Sequence, residues 1–137
     1  MQPLLLDTCA ALWLAADAPM AEEAVQAIAS ANQDGVAIQI SPVTAWEIGL
    51  MARKGRFRSS LSPQRWFERL CTVPGIFVCG LSPSVLLESS FLPGELHGDP
   101  ADRMMVATAR EHDFVLMTRD HALLNYAAQG HLSAIAC

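Results

Sequence analysis

Four times in this chain a Ser or Asp stands directly before a proline: Ser41-Pro42, Ser62-Pro63, Ser82-Pro83 and Asp99-Pro100. A side-chain oxygen can cap the free N–H groups of a first helical turn, and proline is tolerated at the first helical position. Each pair therefore marks a helix start. The segments between these helices are short and apolar. Leu4–Asp7, Val36–Ile40, Ile76–Cys79 and Phe114–Met117 read as buried strands, and Leu132–Ala136 as a final edge strand. Helices are expected over Thr8–Ala16 and Met20–Ala31, from Pro42 to Arg53, from Pro63 to Leu70 and from Pro83 to Phe91. Two more run from Pro100 to Glu111 and over Asp120–Ala128, with a loop from Pro93 to Gly98. Strands alternating with helices predict an α/β fold. The expectation is a single three-layer domain spanning residues 1–137, with a central, mainly parallel sheet and helices on both faces.

Composition supports a packed core. Of the 137 residues 52% are hydrophobic and 17% charged, which argues against disorder. No apolar run reaches the ~18 residues that span a bilayer. The start, Met-Gln-Pro-Leu-Leu-Leu-Asp, lacks the basic opening and long apolar region of a signal peptide, so a cytoplasmic location without membrane association is expected. The four cysteines show no CxxC spacing and no paired His, which argues against zinc. Cys9, Cys71 and Cys79 lie in apolar stretches and are expected in the core. His97, His112, His121 and His131 show neither HxxxH nor HExxH spacing and are expected on the surface or in loops.

Four acids adjoin segments that look buried. Asp7 closes the run Leu4-Leu5-Leu6, and Asp120 follows the strand Phe114–Met117. Glu47 interrupts a helix face marked by Val43, Trp46, Leu50 and Met51, and Asp102 opens the helix with Met104-Met105-Val106-Ala107. Each has a plainer reading. Asp7 and Asp120 could cap the helices that follow them. Glu47 could pair privately with an Arg or Lys. Asp102 could complete a capping box with Asp99 or complement the helix dipole. We assign the cap to Asp99 and the chemistry to Asp102. In a parallel sheet, sites form at the carboxyl ends of strands, and a cluster of acids gathered there repels itself unless a cation neutralises it. Oxygen-only donors suit Mg²⁺ or Mn²⁺, and such ions serve phosphodiester hydrolysis.

The net charge of −5 hides an uneven spread. Between Arg53 and Arg69 stand six basic residues (Arg53, Lys54, Arg56, Arg58, Arg65, Arg69) and one acid, Glu68. Two readings stand for the first four. They are a solvated helix end whose cations complement the dipole, or a rim that contacts the phosphates of an anionic partner beside an acidic pocket.

The sequence resembles the PIN domain family, and more closely its VapC-type toxin ribonucleases. The opening strand and aspartate lie in Leu4-Leu5-Leu6-Asp7-Thr8-Cys9, and the second motif in Ile40-Ser41-Pro42-Val43-Thr44-Ala45-Trp46-Glu47-Ile48. The third and most distinctive runs His97-Gly98-Asp99-Pro100-Ala101-Asp102-Arg103, and the last is Leu116-Met117-Thr118-Arg119-Asp120. The likeness covers nearly the whole chain. It implies a metal-dependent endoribonuclease in which Asp7, Glu47, Asp102 and Asp120 hold Mg²⁺ or Mn²⁺, with Thr118 assisting through its hydroxyl. It also implies RNA as substrate, a cognate antitoxin that holds the toxin inactive, often by inserting an Arg into the acidic site, and a homodimer. Three rivals remain: a phosphatase of the haloacid dehalogenase type, a DNA-directed PIN nuclease, and a non-catalytic module with an acidic, cation-binding pocket. The first expects a second Asp two residues after Asp7, where Cys9 stands.

Overall fold

Three- and four-residue strands cannot hold a sheet by themselves, and the computed structural model, which describes residues 1–137, packs them between two helical layers. The strands are β1 (Leu4–Leu6), β2 (Ile38–Ile40), β3 (Ile76–Val78), β4 (Val115–Thr118) and β5 (Ala134–Ala136). The helices are α1 (Thr8–Ala15), α2 (Glu22–Asp34), α3 (Pro42–Arg53), α4 (Pro63–Cys71), α5 (Pro83–Glu88), α6 (Pro100–His112) and α7 (His121–Ala128). No helix is long and apolar enough to cross a membrane.

All four strand pairs are parallel, in the order β3-β2-β1-β4-β5. The chain leaves β1 toward one edge and returns through β4 toward the other. Right-handed crossovers then place the two sets of helices on opposite faces. Two cores result. Leu4, Leu6, Ile38, Ile40 and Ile76 pack against α1, α2 and α4 through Ala10, Ala24, Trp66 and Leu70. Leu5 and Leu116 face α6 and α7 through Met105, Val106, Leu123 and Tyr126. Helix α3 belongs to both, Ile48 on one side and Val43 on the other, and it contacts α1, α4 and α6. It lies across the carboxyl end of the sheet.

All four Xaa-Pro helix starts form as read. The side chains of Ser41, Ser62, Ser82 and Asp99 accept backbone N–H groups of Val43, Arg65, Val85 and Asp102, and each proline opens its helix. Several boundaries move: α2 begins at Glu22 rather than Met20, and β2 at Ile38 rather than Val36. Helix α2 runs to Asp34, past the expected end at Ala31, because the left-handed cap falls on Gly35 at φ 68°. Helix α5 ends at Glu88 rather than near Phe91, and the Ser89 hydroxyl donates back to the Leu86 carbonyl. Three residues expected in the core are not buried there: Trp46, Cys9 and Cys71, the last half-buried at the C-terminal end of α4. Trp46 is 49% exposed because α3 spans the sheet's end and turns that side to solvent. Cys9 is exposed because it sits in the first turn of α1, above the sheet.

Candidate active site

Strands β1 and β4 are neighbours whose following helices go to opposite faces, so a crevice opens at their carboxyl ends. Leu6 pairs with Met117, and the Asp7 N–H donates to the Met117 carbonyl at 3.0 Å. That register sets Asp7 beside Thr118 and Asp120. Each carboxylate has two oxygens, and the caps use one. Asp7 Oδ1 accepts from Ala10 N–H at 2.8 Å, and Asp120 Oδ1 accepts from Ala122 and Leu123 at 2.8 and 3.2 Å. Capping and clustering are therefore compatible. Fully buried Thr118 joins the pair: its hydroxyl accepts the Asp120 N–H at 3.1 Å and, near the Asp7 carboxylate, favours that group's charged form.

Helix α3 brings Glu47 in from above. No Arg or Lys pairs with it, since the chain's single ion pair is His97–Asp102. Instead Thr8 Oγ1 donates to Glu47 Oε1 at 2.5 Å, and the Thr8 hydroxyl also meets the buried Thr44 hydroxyl at 3.1 Å. Helix α6 supplies Asp102 from its first turn, while Asp99 caps that helix through the Asp102 N–H at 3.0 Å.

Electrostatics tie these acids together. Burial pushes the Asp102 carboxyl up to about 7; repulsion from Asp99, Asp120 and Glu47 adds to the rise and His97 opposes it. Burial also raises Asp7 above the usual range, against the nearby Thr118 hydroxyl and the Ala10 hydrogen bond and with help from Asp120. Glu47 is raised by burial and by repulsion from Asp99 and Asp7, and lowered by the Thr8 hydroxyl. Carboxylates held like this cannot all ionise comfortably without a cation. The donors are oxygens on rigid element ends, which fits a hard divalent ion such as Mg²⁺ or Mn²⁺. Among them Asp102 and Asp120 approach His97 so that one ligand atom from each lies within 4.8 Å of the others. Cys9 also faces the cluster, but burial and the charges of Asp7, Glu47 and Asp102 push its thiol up, so it offers no ready thiolate.

The basic residues lie to one side. Arg53 ends Glu47's helix and Lys54, Arg56 and Arg58 follow it, all four exposed. Arg56 and Arg58, with Arg69, line a groove of about 740 Å³ whose walls include Trp13, Phe57 and Trp66. Arg119 links groove and acids: its guanidinium lies 3.6 Å from the Trp13 ring centroid and donates to the Cys137 carbonyl. The sequence reading did not single out Thr8, Thr44 or His97 as part of this site. Thr44 stands one turn before Glu47 on α3, a spacing that could have pointed to it.

The PIN domain profile matches residues 4–129, and the chain belongs to that family, within its VapC type. It is 30% identical to Ribonuclease VapC22 of Mycobacterium tuberculosis over 127 residues, covering 92% of this chain and 93% of the relative. The fold resembles that in the crystal structure of VapBC2 from Rickettsia felis bound to a DNA fragment from their promoter. There the TM-score is 0.70 at 13% identity, with 98% of each chain covered. It also resembles that in DNA-bound VapBC from Salmonella typhimurium, with a TM-score of 0.67 at 18% identity, over 99% of this chain and 98% of that one.

Proposed function

We propose that residues 1–137 form a single nuclease domain, a metal-dependent endoribonuclease toxin held inactive by a cognate antitoxin. The observation that carries this reading is the set of acids at the β1–β4 crevice, left without an Arg or Lys partner, with Asp7, Glu47 and Asp102 raised by burial and by repulsion from neighbouring acids. Kinship with a VapC ribonuclease supports RNA as the substrate. Asp7, Glu47, Asp102 and Asp120 would hold Mg²⁺ or Mn²⁺. An ion held there would acidify an attacking water and set positive charge against the phosphate oxygens. Thr118 fixes the Asp120 backbone beside the Asp7 carboxylate, so the cation oxygens are set before substrate arrives. Thr8 holds Glu47 the same way. Arg53, Lys54, Arg56 and Arg58 draw the RNA backbone toward a pocket that would otherwise repel it.

The antitoxin would occupy the groove beside Trp13, Phe57 and Trp66, whose Arg56, Arg58 and Arg69 favour acidic residues on the incoming segment. It would then compete with RNA for the same cations. The exposed Phe77 on the edge strand β3, with Leu87 and Phe91, supports a homodimer. A cytoplasmic location fits an RNA target. The test is cleavage of single-stranded RNA by the purified chain, with Mn²⁺ or with a chelator. Cleavage that the chelator stops is expected. Cleavage of DNA alone, or of nothing, overturns the reading in favour of a DNA-directed nuclease or a binding module.

A further inference from the structure

The loop before α6 is fastened by the residue that follows Asp102. The Arg103 guanidinium donates from Nε to the Ser89 carbonyl at 2.8 Å, and from Nη1 to the carbonyls of Leu96 at 2.9 Å and His97 at 3.3 Å. Its rigid fork of donors thus ties the end of α5 and the loop to the helix that carries Asp102. The His97 ring is held from its other side, where the Asp99 backbone N–H donates to Nδ1 at 3.3 Å. A ring nitrogen that accepts leaves the proton of neutral imidazole on the other nitrogen. Nε2–H then faces Asp102 Oδ2 at 3.4 Å, a few tenths of an ångström beyond an ordinary N–H···O bond. A protonated Nε2 has no lone pair to give a cation.

We propose that His97 is a positioning residue: clamped by Arg103 and Asp99, its Nε2–H steadies Oδ2 of Asp102 and leaves the other carboxylate oxygen to a divalent cation. It does not ligate the ion, although its nitrogen lies in the same cluster as Asp102 and Asp120. This rests on reading the acids as a cation site. Partners that orient a ligand in this way typically contribute 10–100-fold to metal affinity.

The test titrates Mn²⁺ into the intact protein and reads free Mn²⁺ by electron paramagnetic resonance. His97→Ala should weaken Mn²⁺ binding about 10-fold or more. His97→Gln, whose side-chain amide can donate from nearly the same place, should recover most of it. His97 is exposed, so thermal melts of both variants should match the parent. Pulsed resonance on the bound ion should show no directly coordinated imidazole nitrogen. A nitrogen signal that disappears in His97→Ala, or unchanged affinity in that variant, overturns the inference alone. An unaltered chain that binds no Mn²⁺ overturns the cation reading, and this inference with it.

Discussion

Asp99 caps helix α6 by accepting the backbone N–H of Asp102 at 3.0 Å, and its own charge helps to hold the Asp102 carboxyl up near 7. One residue makes the helix start and loads the acid three positions on. The two roles separate by substitution.

Asn caps about as well as Asp, so Asp102→Asn should fold normally. Activity should fall ~10²-fold or more, as when one electrostatic stabiliser is removed. Asp99→Asn should be milder, because the cap survives and a repulsive neighbour goes. Asp99→Ala should cost about 1 kcal/mol through the lost cap. Cleavage rates and thermal melts measured side by side decide this. An inactive Asp99→Asn beside an active Asp102→Asn would reverse the assignment.

Stability should depend on pH through the same group. The folded Asp102 carboxyl sits at about 7 and its ordinary value is 3.8, so the unfolded chain gives up that proton more readily. The stability linked to it is complete below pH 3.8 and is lost as pH rises through about 7. Asp7 and Glu47, also raised, act in the same direction. Without divalent ions, Tm should therefore drop between about pH 6 and about pH 8, and Mn²⁺ should restore more at the higher pH by binding the folded state. A Tm indifferent to Mn²⁺ at both values would count against the cluster.

Thr8 offers a test that leaves every acid in place. Thr8→Val keeps the shape but strips the donor from Glu47 and the partner from the buried Thr44 hydroxyl. Leaving such a group unsatisfied costs about 1–3 kcal/mol. For a chain of this size that is a fall in Tm of roughly 4 °C per kcal/mol. Because the Thr8 hydroxyl lowers the Glu47 carboxyl, its loss should raise that carboxyl further and weaken Mn²⁺ binding. An unchanged Tm and unchanged Mn²⁺ affinity would show that the threonine pair does not support Glu47.

Local rules made much of this readable before any coordinates. A Ser or Asp before Pro fixes a helix start through one side-chain bond, and all four such starts formed. Asp7 and Asp120 could be placed together because parallel strands end on one side. Strand order could not be read, since the β1–β4 pairing joins residues more than a hundred positions apart. Trp46 was misplaced because periodicity finds an apolar face without saying how far the helix overhangs the sheet. His97 could be read only as a surface residue, where it lies, because its place in the cluster comes from Arg103 gripping backbone carbonyls, and no side-chain spacing records that.

The basic segment supplies the last prediction. Arg56 and Arg58 line the groove beside Trp13, while Arg119 on that same ring adjoins Asp120. A strand held along the groove would thus lead to the acids. Replacing Lys54, Arg56 and Arg58 with Ala should weaken RNA binding and flatten its dependence on salt. Each lost phosphate contact on a single strand should reduce the slope of log affinity against log salt by about 0.7. All three side chains are exposed, so folding should hold. Binding measured across a salt series gives the slope. An unaltered slope would leave these residues as a solvated helix end and send the RNA over another face.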